Sequence, residues 1–326
     1  MAKILVVGGA GYIGSHMVVR LAEAGHQVVT LDNLYSGHRD AVIAGGFVQG
    51  DLADRRRLDV LFDDQEFDGV MHFAAHIEVG ESVCDPAKYY RNNFSHTQNL
   101  LDMMVAHDVG VFIFSSTAAI FGEPQYVPID EAHPKAPINP YGRSKWMVEQ
   151  MLEDFDTAYG LKAVALRYFN AAGADPEGRL GERHDPETHL IPLVLRAASG
   201  RREHITVFGA DYDTPDGTCV RDYIHVNDLC EVHLRALERL LAGGGSDRFN
   251  LGNGRGFSVQ EVIDAAERVT GRKVPVVRGE RRAGDPARLV ADSKHARSAL
   301  GWEPRYADLD TIIAHAWEWE RRIAGL

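Results

Sequence analysis

The stretch Gly8-Gly9-Ala10-Gly11-Tyr12-Ile13-Gly14 contains the features that decide the fold. It follows a short apolar run, and its glycines at positions 8, 11 and 14 have the GxxGxxG spacing at the start of a helical pattern. Glycines there permit a tight turn, a close approach of the backbone to a pyrophosphate, and close packing of helix on strand. The free N–H groups at the helix N-terminus favour an anion. We therefore predict a dinucleotide-binding turn whose cofactor contacts are Gly8, Gly11, Tyr12, Ile13 and Gly14.

An acidic residue at the end of the second predicted strand indicates which dinucleotide binds. Asp32 lies 18 residues after Gly14, where its carboxylate can accept hydrogen bonds from an adenosine ribose. The same charge would repel a 2′-phosphate, so NAD is predicted rather than NADP. The cofactor contacts predicted after the second, third and fourth strands are Asn33, Asp51, Leu52, Phe73, Ala74 and Ala75.

The first half of the chain alternates β-rich runs with helical patterns. The predicted strands are Lys3–Val7, Gln27–Leu31, Gly46–Gln49, Gly69–Phe73, Val111–Ser115 and Lys162–Arg167. The predicted helices between them are Ser15–Ala24, Asp54–Asp63, Asn93–His107 and Ser144–Tyr159. The strands are nearly continuous in Val, Ile, Leu and Phe, as strands buried on both faces are. This alternation predicts an α/β fold with a doubly wound parallel Rossmann sheet.

The regular alternation ends after Ala172. Beyond it, the sequence predicts helices at Leu190–Ala198 and Val226–Leu241, a strand at Cys219–Ile224, and a helix opened by a capping box at Ser258 and Glu261. We predict an NAD-binding domain over residues 1–172, to which residues 219–252 return. Residues 173–218 and 253–326 are predicted to form a smaller C-terminal α/β lobe.

Composition excludes several classes of partner. A formal net charge of −12 over 326 residues argues against nucleic acid, which binds basic surfaces. No run approaches the roughly 18 apolar residues of a membrane span, so no membrane partner is expected. The start of the chain lacks the cleavage pattern of a signal peptide. Cys84, Cys219 and Cys230 form no CxxC pair, which predicts reduced thiols in a cytoplasmic protein.

A tyrosine–lysine pair is the strongest chemical feature. Tyr141 and Lys145 have the YxxxK spacing, which places both on one helix face. A phenol with a pKa of about 10 is a poor base at neutral pH, but a neighbouring cation favours the phenolate. The hydroxyl residues Ser115, Ser116 and Thr117 lie at the end of the fifth predicted strand, and the carboxyl ends of such strands line the ligand crevice. The combination predicts hydride chemistry assisted by Tyr141, Lys145 and a hydroxyl group of this cluster.

Longer stretches carry a family resemblance over the whole chain. They are GGAGYIGSH (8–16), LDN (31–33), HFAA (72–75), VGESV (79–83), FSSTAAIFG (114–122), NPYGRSKWMVE (139–149), LRYFNAAGA (166–174), VRDYIHVNDL (220–229), FNLGNG (249–254) and RRAGDPARLVAD (281–292). The chain resembles the UDP-glucose (UDP-galactose) 4-epimerase family of the extended short-chain dehydrogenase/reductase superfamily.

The resemblance implies a role for each matching residue. Tyr141 would be the acid/base, Lys145 its activator and a ribose contact, and Thr117 the partner of the sugar O4. The residues implied at the nicotinamide end are Asn93, Ser115 and Tyr168. The residues implied to hold the UDP-sugar are Asn170, His189, Leu190, Phe208, Arg221, Arg282 and Asp285, with the arginines on the diphosphate and Asp285 on the uridine ribose.

The implied reaction passes through a 4-keto sugar, with tightly held NAD regenerated in each turnover and a homodimer as the expected assembly. Related dehydratases and decarboxylases place acidic residues after the active-site threonine, where this chain has Ala118 and Ala119. Another UDP-hexose substrate, N-acetylated or uronic, a simple dehydrogenase with exchanging NAD, and a non-catalytic NAD sensor stay as alternatives. Two positions differ from the residues that relatives carry. Ile77 stands where some relatives have lysine. Leu289, which is neither a bulky tyrosine nor a small residue, occupies a position at which relatives vary the residue that gates pocket size.

No metal site is predicted. His72 and His76 are four residues apart, but they fall on a strand end and the following loop rather than on one helix face. No acidic or cysteine partner accompanies them in a metal-binding pattern.

Overall fold

The computed structural model describes residues 1–282 and 285–326. Ala283 and Gly284, inside the RRAGDPARLVAD stretch, lie outside the described residues. The strands are β1 Lys3–Val7, β2 Gln27–Asp32, β3 Gly46–Gln49, β4 Gly69–His72, β5 Val111–Thr117, β6 Lys162–Tyr168, β7 Asn170–Ala172, β8 Ile205–Phe208, β9 Val220–His225, β10 Asp247–Leu251, β11 Gly256–Ser258, β12 Val276–Gly279 and β13 Arg288–Leu289. The helices are α1 Tyr12–Glu23, α2 Arg55–Asp64, α3 Val79–Cys84, α4 Pro86–Tyr89, α5 His96–Ala106, α6 Pro140–Tyr159, α7 Leu190–Ser199, α8 Val226–Leu241, α9 Val259–Thr270, α10 Lys294–Leu300 and α11 Leu309–Ala324.

The main sheet has seven strands in the order β10-β6-β5-β4-β1-β2-β3, and every neighbouring pair is parallel. The order reverses between β1 and β4, which opens a crevice at the carboxyl ends of these strands. Parallel strands joined by helices confirm the predicted doubly wound α/β fold. The same sheet edge carries both the glycine-rich turn after β1 and the hydroxyl residues that end β5.

Each face of the main sheet is covered by its own apolar cluster. Side chains of α1 and α8 pack on one face, where Met17, Leu229 and Leu237 are fully buried. Side chains of α2, α5 and α6 pack on the other face against Leu5 and Phe112. Burial on both faces explains why the strands are apolar at nearly every position.

The stretch 219–252 is divided between two sheets. β9 lies at the centre of a second, smaller sheet, where it pairs with β7, β11 and β13. The following helix α8 packs against α1, and β10 pairs in parallel with β6 at the edge of the main sheet. The rest of the C-terminal part packs α7, α9 and α11 around a separate apolar cluster.

Two predicted helices begin earlier than the apolar periodicity indicates. α1 begins at Tyr12, directly after the N-cap residue Gly11. α6 begins at Pro140 because the Asn139 side chain accepts a hydrogen bond from the Gly142 N–H at 2.8 Å. Proline at the first helical position suits this start, since it has no N–H to leave unpaired. As a result, Tyr141 lies in the first turn of α6.

The predicted helix Asn93–His107 is the α-helix α5 preceded by a π-helical turn, Tyr90–Ser95. π-Helical turns concentrate at functional sites because they change the direction in which side chains project. The predicted capping box is confirmed: Ser258 accepts from the Glu261 N–H at 3.0 Å, and the Glu261 side chain accepts from the Ser258 N–H at 2.7 Å. None of the helices among the described residues is both long enough and apolar enough to cross a bilayer.

Candidate active site

The turn between β1 and α1 depends on two glycines. Gly8 has a φ of +82°, a left-handed conformation that glycine adopts readily, and a Cβ there would lie 2.5 Å from the Ala74 backbone nitrogen. A Cβ on Gly14 would lie 2.1 Å from the Gly8 carbonyl oxygen. At Gly11 the nearest atom would be 3.4 Å away, an ordinary contact distance. Gly8 and Gly14 therefore allow strand and helix to approach closely, and they leave the α1 N-terminus open to a pyrophosphate.

Replacing Gly14 with alanine is expected to weaken NAD binding by roughly one to two orders of magnitude. The added methyl group meets backbone atoms of Gly8 and Gly9 that cannot rotate away, and overpacking of this kind costs about 1–3 kcal/mol. The measurement is the amount of NAD released when the purified variant is denatured by acid. Gly110→Ala is the matched control, because a Cβ at Gly110 meets nothing within 4 Å. Full NAD occupancy in Gly14→Ala would contradict this account of the turn.

The carboxylate of Asp32 organises the same turn. Its oxygens accept hydrogen bonds from the Ala10 N–H at 2.9 Å and the Leu34 N–H at 2.8 Å. Burial raises the pKa of Asp32, and these two hydrogen bonds oppose the rise. Each oxygen retains a lone pair that can accept from a ribose hydroxyl. Next to it, the Asn33 amide donates to the Asp51 carboxylate at 2.6 Å, so the predicted adenosine-side residues of β2 and β3 lie together.

Tyr141, Lys145 and Thr117 meet where α6 faces the end of β5. The Lys145 ammonium is buried, donates to the Ser115 carbonyl at 2.8 Å, and lies 4.8 Å from the centre of the Phe114 ring. Burial lowers the pKa of Lys145 to about 7, with Glu149 opposing. Burial raises the pKa of Tyr141, and a hydrogen bond with Thr117 opposes that rise. The phenol therefore needs a neighbouring positive charge to act as a base near neutral pH.

An ion pair beneath this site fixes the end of β5. Glu149 accepts from the Arg167 guanidinium at 3.0 and 2.5 Å, and the two side chains are 1% and 0% exposed. The Ser116 hydroxyl donates to the same carboxylate. Because Ser116 lies between Ser115 and Thr117, this network positions both neighbours. The sequence analysis did not select Glu149 or Arg167, although each lies inside a stretch that carries the resemblance.

The residues predicted at the nicotinamide end come from three elements. Asn93, in the π-helical turn, donates to the His76 carbonyl at 2.9 Å and accepts from the His76 N–H at 2.9 Å. Ser115 on β5 and Tyr168 on β6 share a hydrogen bond between their hydroxyl groups. Tyr168 is also close enough to Tyr141 for a phenolate there to raise the Tyr168 pKa, in addition to the larger effect of burial.

The residues predicted to hold the nucleotide sugar fall into two groups. Arg221 on β9 forms an ion pair with Asp285, and the Arg282 guanidinium lies 4.0 Å from the centre of the Phe208 ring on β8. Asn170 on β7 is directed toward β9, where its amide donates to the Asp222 carbonyl at 3.0 Å. His189 and Leu190 lie apart in sequence from this group, at the start of α7.

A cluster near His189 was not identified from the sequence. The side chains of Glu182, His184, Glu187 and His189 place one nitrogen or oxygen atom each within 4.8 Å of one another. Burial opposes a charge on His189, but the two carboxylates raise its pKa well above the ordinary value. The spacing E-x-H-x-x-E-x-H over residues 182–189 is the signal that would have indicated it.

The two histidines considered for a metal have other partners. His72 is buried and lies 2.9 Å from the Thr97 hydroxyl, and burial lowers its pKa to about 3. The His76 ring packs edge-on against Tyr35 at 4.9 Å between ring centres. Neither belongs to a potential metal-binding group among residues 1–282 and 285–326.

The chain is similar to known proteins over nearly its whole length. The model of the NAD dependent epimerase/dehydratase family matches residues 4–252. A UDP-glucose 4-epimerase of Halalkalibacterium halodurans is 54% identical over 318 residues, covering 98% of this chain and 95% of the relative. The crystal structure of UDP-glucose 4-epimerase from Brucella ovis in complex with NAD has a TM-score of 0.95 and 53% identity, covering 97% of this chain and 98% of that one. The Bifidobacterium longum UDP-glucose 4-epimerase in complex with NAD+ and UDP has a TM-score of 0.94 and 38% identity, covering 99% and 100%.

Proposed function

The chain belongs to the NAD dependent epimerase/dehydratase family, and from that premise we propose that it interconverts UDP-galactose and UDP-glucose. The reaction is a redox-neutral inversion at the sugar C4 through a 4-keto intermediate. Relatives at about half identity and nearly full coverage carry this activity in their names. The single observation that carries the proposal is the meeting of Thr117, Tyr141 and Lys145 at the carboxyl edge of the sheet, beside a glycine turn shaped for NAD.

NAD fits the crevice because Gly8 and Gly14 leave a cradle that side chains would fill, and Asp32 keeps acceptors for a ribose. When bound there, NAD supplies the hydride acceptor and donor for the sugar C4. Tyr141 as phenolate takes the 4-hydroxyl proton and later returns it, while Thr117 orients O4. Lys145 stabilises the phenolate and has donors for a ribose hydroxyl.

The diphosphate and the uridine of the substrate are assigned to Arg221 on β9 and to residues that follow β12. Arg221 and Arg282 present planar guanidinium groups, which suit phosphate oxygens, and Asp285 next to Arg221 can accept from the uridine ribose. Anchoring the UDP end lets the keto sugar turn over between the two hydride transfers. Both faces of C4 then become accessible to one cofactor.

The residues that follow Thr117 favour epimerisation over dehydration. Ala118 and Ala119 form a short 3₁₀ turn, and a methyl side chain can neither remove a proton from C5 nor assist loss of water. A non-catalytic sensor would have no need of a buried lysine one helical turn after Tyr141. Bound NAD without turnover of any nucleotide sugar would support the sensor instead.

The decisive experiment incubates the purified protein with UDP-galactose and no added NAD. Chromatography then follows the appearance of UDP-glucose. Steady conversion is expected, since the cofactor is regenerated and retained. Absence of conversion, even with NAD supplied, would overturn the UDP-galactose assignment, and other UDP-hexoses would be tested next.

Lysine 145 should set the pH dependence of the rate. Activity requires the Tyr141 phenolate, whose formation burial opposes, so kcat/KM is expected to rise with pH. Burial lowers the pKa of Lys145 to about 7, but the phenolate raises it again as it forms, so the lysine keeps its charge over the rising limb. A cation within a few ångströms lowers such a pKa by about 1–3 units, and Lys145→Met should shift the rising limb to higher pH by a similar amount. The measurement is the pH profile of both proteins. Arg143→Met, which changes an exposed cation on the same helix, is the control. Coincident profiles for wild type and Lys145→Met would contradict the assigned role.

Leu289 is expected to limit the size of the sugar. It packs against the small cluster that contains Ala118 and Ile120, immediately after Thr117. Leu289→Tyr should lower turnover of UDP-N-acetylglucosamine by roughly ten-fold or more, since steric overpacking costs about 1–3 kcal/mol, and Leu289→Ser should raise it. UDP-galactose turnover by the same variants is the internal control. Equal effects on both substrates would contradict a gating role.

Assembly and location complete the proposal. We propose a homodimer in which α5 and α6 pair with their symmetry mates, as the family resemblance implies. Tyr159, on the C-terminal turn of α6, is 61% exposed and is available to such a contact. Cys84, Cys219 and Cys230 are free thiols, which supports a reducing, cytoplasmic environment.

A further inference from the structure

Four potential metal ligands converge in the segment 182–189, before α7. His189 Nδ1 lies 2.7 Å from Glu182 Oε1 and 3.1 Å from Glu187 Oε1. His184 Nδ1 lies 3.1 Å from Glu182 Oε1 and 3.9 Å from Glu187 Oε1. All four residues offer a ligand atom within 4.8 Å of the others, so they form one compact group.

These separations match a tetrahedral metal centre. With bonds of about 2.0–2.1 Å to nitrogen and oxygen, a tetrahedral Zn²⁺ holds its ligand atoms about 3.3–3.4 Å apart. The four histidine–glutamate separations, from 2.7 to 3.9 Å, lie on both sides of that value, and all separations within the group are below 4.8 Å.

Burial provides an independent indication. The side chain of Glu187 is 0% exposed and that of Glu182 is 7% exposed. Glu187 Oε2 is buried and has no hydrogen-bond partner among the residues that the structure describes. Arg196 Nη2 lies 3.8 Å from it, within ion-pair distance but too far for a hydrogen bond. A buried carboxylate oxygen without a hydrogen bond is costly, and a metal ion bound by both Glu187 oxygens would reduce that cost.

We propose that Glu182, His184, Glu187 and His189 bind a divalent first-row transition metal, with Zn²⁺ as the preferred ion. Two imidazoles and two carboxylates suit Zn²⁺, whereas Mg²⁺ and Ca²⁺ take oxygen ligands almost exclusively. All four positions are filled by the protein, so the site is structural rather than catalytic. It departs from the sequence-based prediction of no metal, and it makes a metal ligand of His189, which the family resemblance assigns to the UDP-sugar.

The contacts of the segment 182–189 with the rest of the chain indicate what a bound metal would do to the structure. The His184 ring lies edge-on to Tyr12 at 6.4 Å between ring centres, and the Arg183 carbonyl lies 2.8 Å from His38 Nε2. Arg183 also forms an ion pair with Asp40. The segment that carries the ligands therefore crosses the first domain beside the cofactor turn. A metal ion bound to all four ligands would restrict the motion of this segment and fix the position of the start of α7.

The same contacts could be made by protonated histidines paired with the two carboxylates, so the test must detect the metal itself. The wild-type protein, without an affinity tag, is stripped with a chelator, loaded with Zn²⁺ and dialysed against metal-free buffer. Elemental analysis is expected to find about one Zn²⁺ per chain. His184→Ala and Glu187→Gln are expected to retain less than about a tenth of that amount.

His107→Ala is the matched control, since His107 also lies between two carboxylates, Asp59 at 2.9 Å and Asp63 at 3.5 Å, but those carboxylates are 57% and 71% exposed. It should retain zinc like the wild type. Loading the wild type with Co²⁺ provides a second measurement that needs no variant: the intense visible absorption of four-coordinate Co²⁺ is expected. Zinc at background level in the wild type, or a Co²⁺ spectrum of the hydrated ion, would overturn the proposal. UDP-galactose turnover measured on the same samples reports separately on the epimerase assignment.

Discussion

Replacement of Tyr141 with phenylalanine is expected to lower kcat for UDP-galactose by about 10³-fold, within the range of roughly 10²–10⁴ that general acid–base catalysis contributes. The variant loses one oxygen atom, and with it the only group assigned to move the 4-hydroxyl proton. Lys145, Thr117 and the glycine turn stay in place. NAD content should therefore equal that of the wild type, and the loss should appear in kcat more than in KM.

Steady-state kinetics and released NAD measure the two quantities. Tyr159→Phe is the matched control, because Tyr159 lies on the same helix, is 61% exposed and lies outside the active site, and the substitution keeps the ring that would serve the proposed dimer contact. A rate within a few-fold of the wild type in Tyr141→Phe would assign the proton transfer to another group, with Tyr168 the first candidate because its hydroxyl shares a hydrogen bond with Ser115.

The second large effect is on stability. Glu149→Ala is expected to lower the free energy of unfolding by about 3–5 kcal/mol, because it leaves the Arg167 guanidinium buried without its counter-charge. Arg167 is 0% exposed, and its Nη1 already lacks a hydrogen-bond partner among the described residues. Ser116 loses its acceptor at the same time, so the end of β5 beside Thr117 should also loosen. Denaturant titration at a fixed NAD concentration measures the change.

Two further variants separate this explanation from a general effect of altering α6. Glu153→Ala removes a carboxylate one turn away whose partner is Arg248, with side chains 52% and 39% exposed, and should cost at most about 1 kcal/mol. The double variant Glu149→Leu/Arg167→Met removes both buried charges and should recover most of the loss, since apolar replacements of buried ion pairs are often neutral. A double variant as unstable as Glu149→Ala would show that lost packing, and not the unpaired charge of Arg167, causes most of the loss in the free energy of unfolding.

Much of the main sheet could be predicted because each strand is determined mainly by the residues within it. Strands buried on both faces are apolar throughout, and Gly14 is required by contacts with Gly8 and Gly9 within the turn. Gly8 is favoured locally by its positive φ, although the backbone that excludes a Cβ there belongs to Ala74, after β4. The start of α6 was predicted four residues late, because periodicity reports the buried face of a helix and not its cap. Asn139 followed by Pro140 was the signal for the true start.

β10 was not predicted as a separate strand, for a different reason. Asp247, Arg248 and Asn250 make its composition polar, and the buried Asn250 is accommodated only by residues distant in sequence. Its backbone N–H donates to Glu131 at 2.7 Å, and its side-chain amide donates to the Ile129 carbonyl at 2.9 Å. A pattern among neighbouring residues in the sequence cannot indicate partners that are so distant along the chain.

The residues of the candidate site also fall into those that the sequence could indicate locally and those that it could not. Tyr141, Lys145 and the turn glycines follow from spacing and physical chemistry, whereas the nucleotide-sugar residues were available only through the family resemblance. Glu149 was missed because a glutamate on a helix is ordinarily exposed, and its burial depends on Arg167 from β6. The cluster at residues 182–189 was missed because the bends of an irregular segment, not a helix or strand period, bring its ligands together.

The position of β10 at the edge of the main sheet has a consequence for how the protein is made. During synthesis, the backbone of β6 stays without its outer neighbour until residue 251 of 326 has left the ribosome. α8, which covers α1, is also translated late. The dinucleotide-binding half therefore spends most of its translation as an incomplete sheet with an open edge and an uncovered apolar face. Such surfaces are the ones that molecular chaperones bind and that nascent chains use to aggregate.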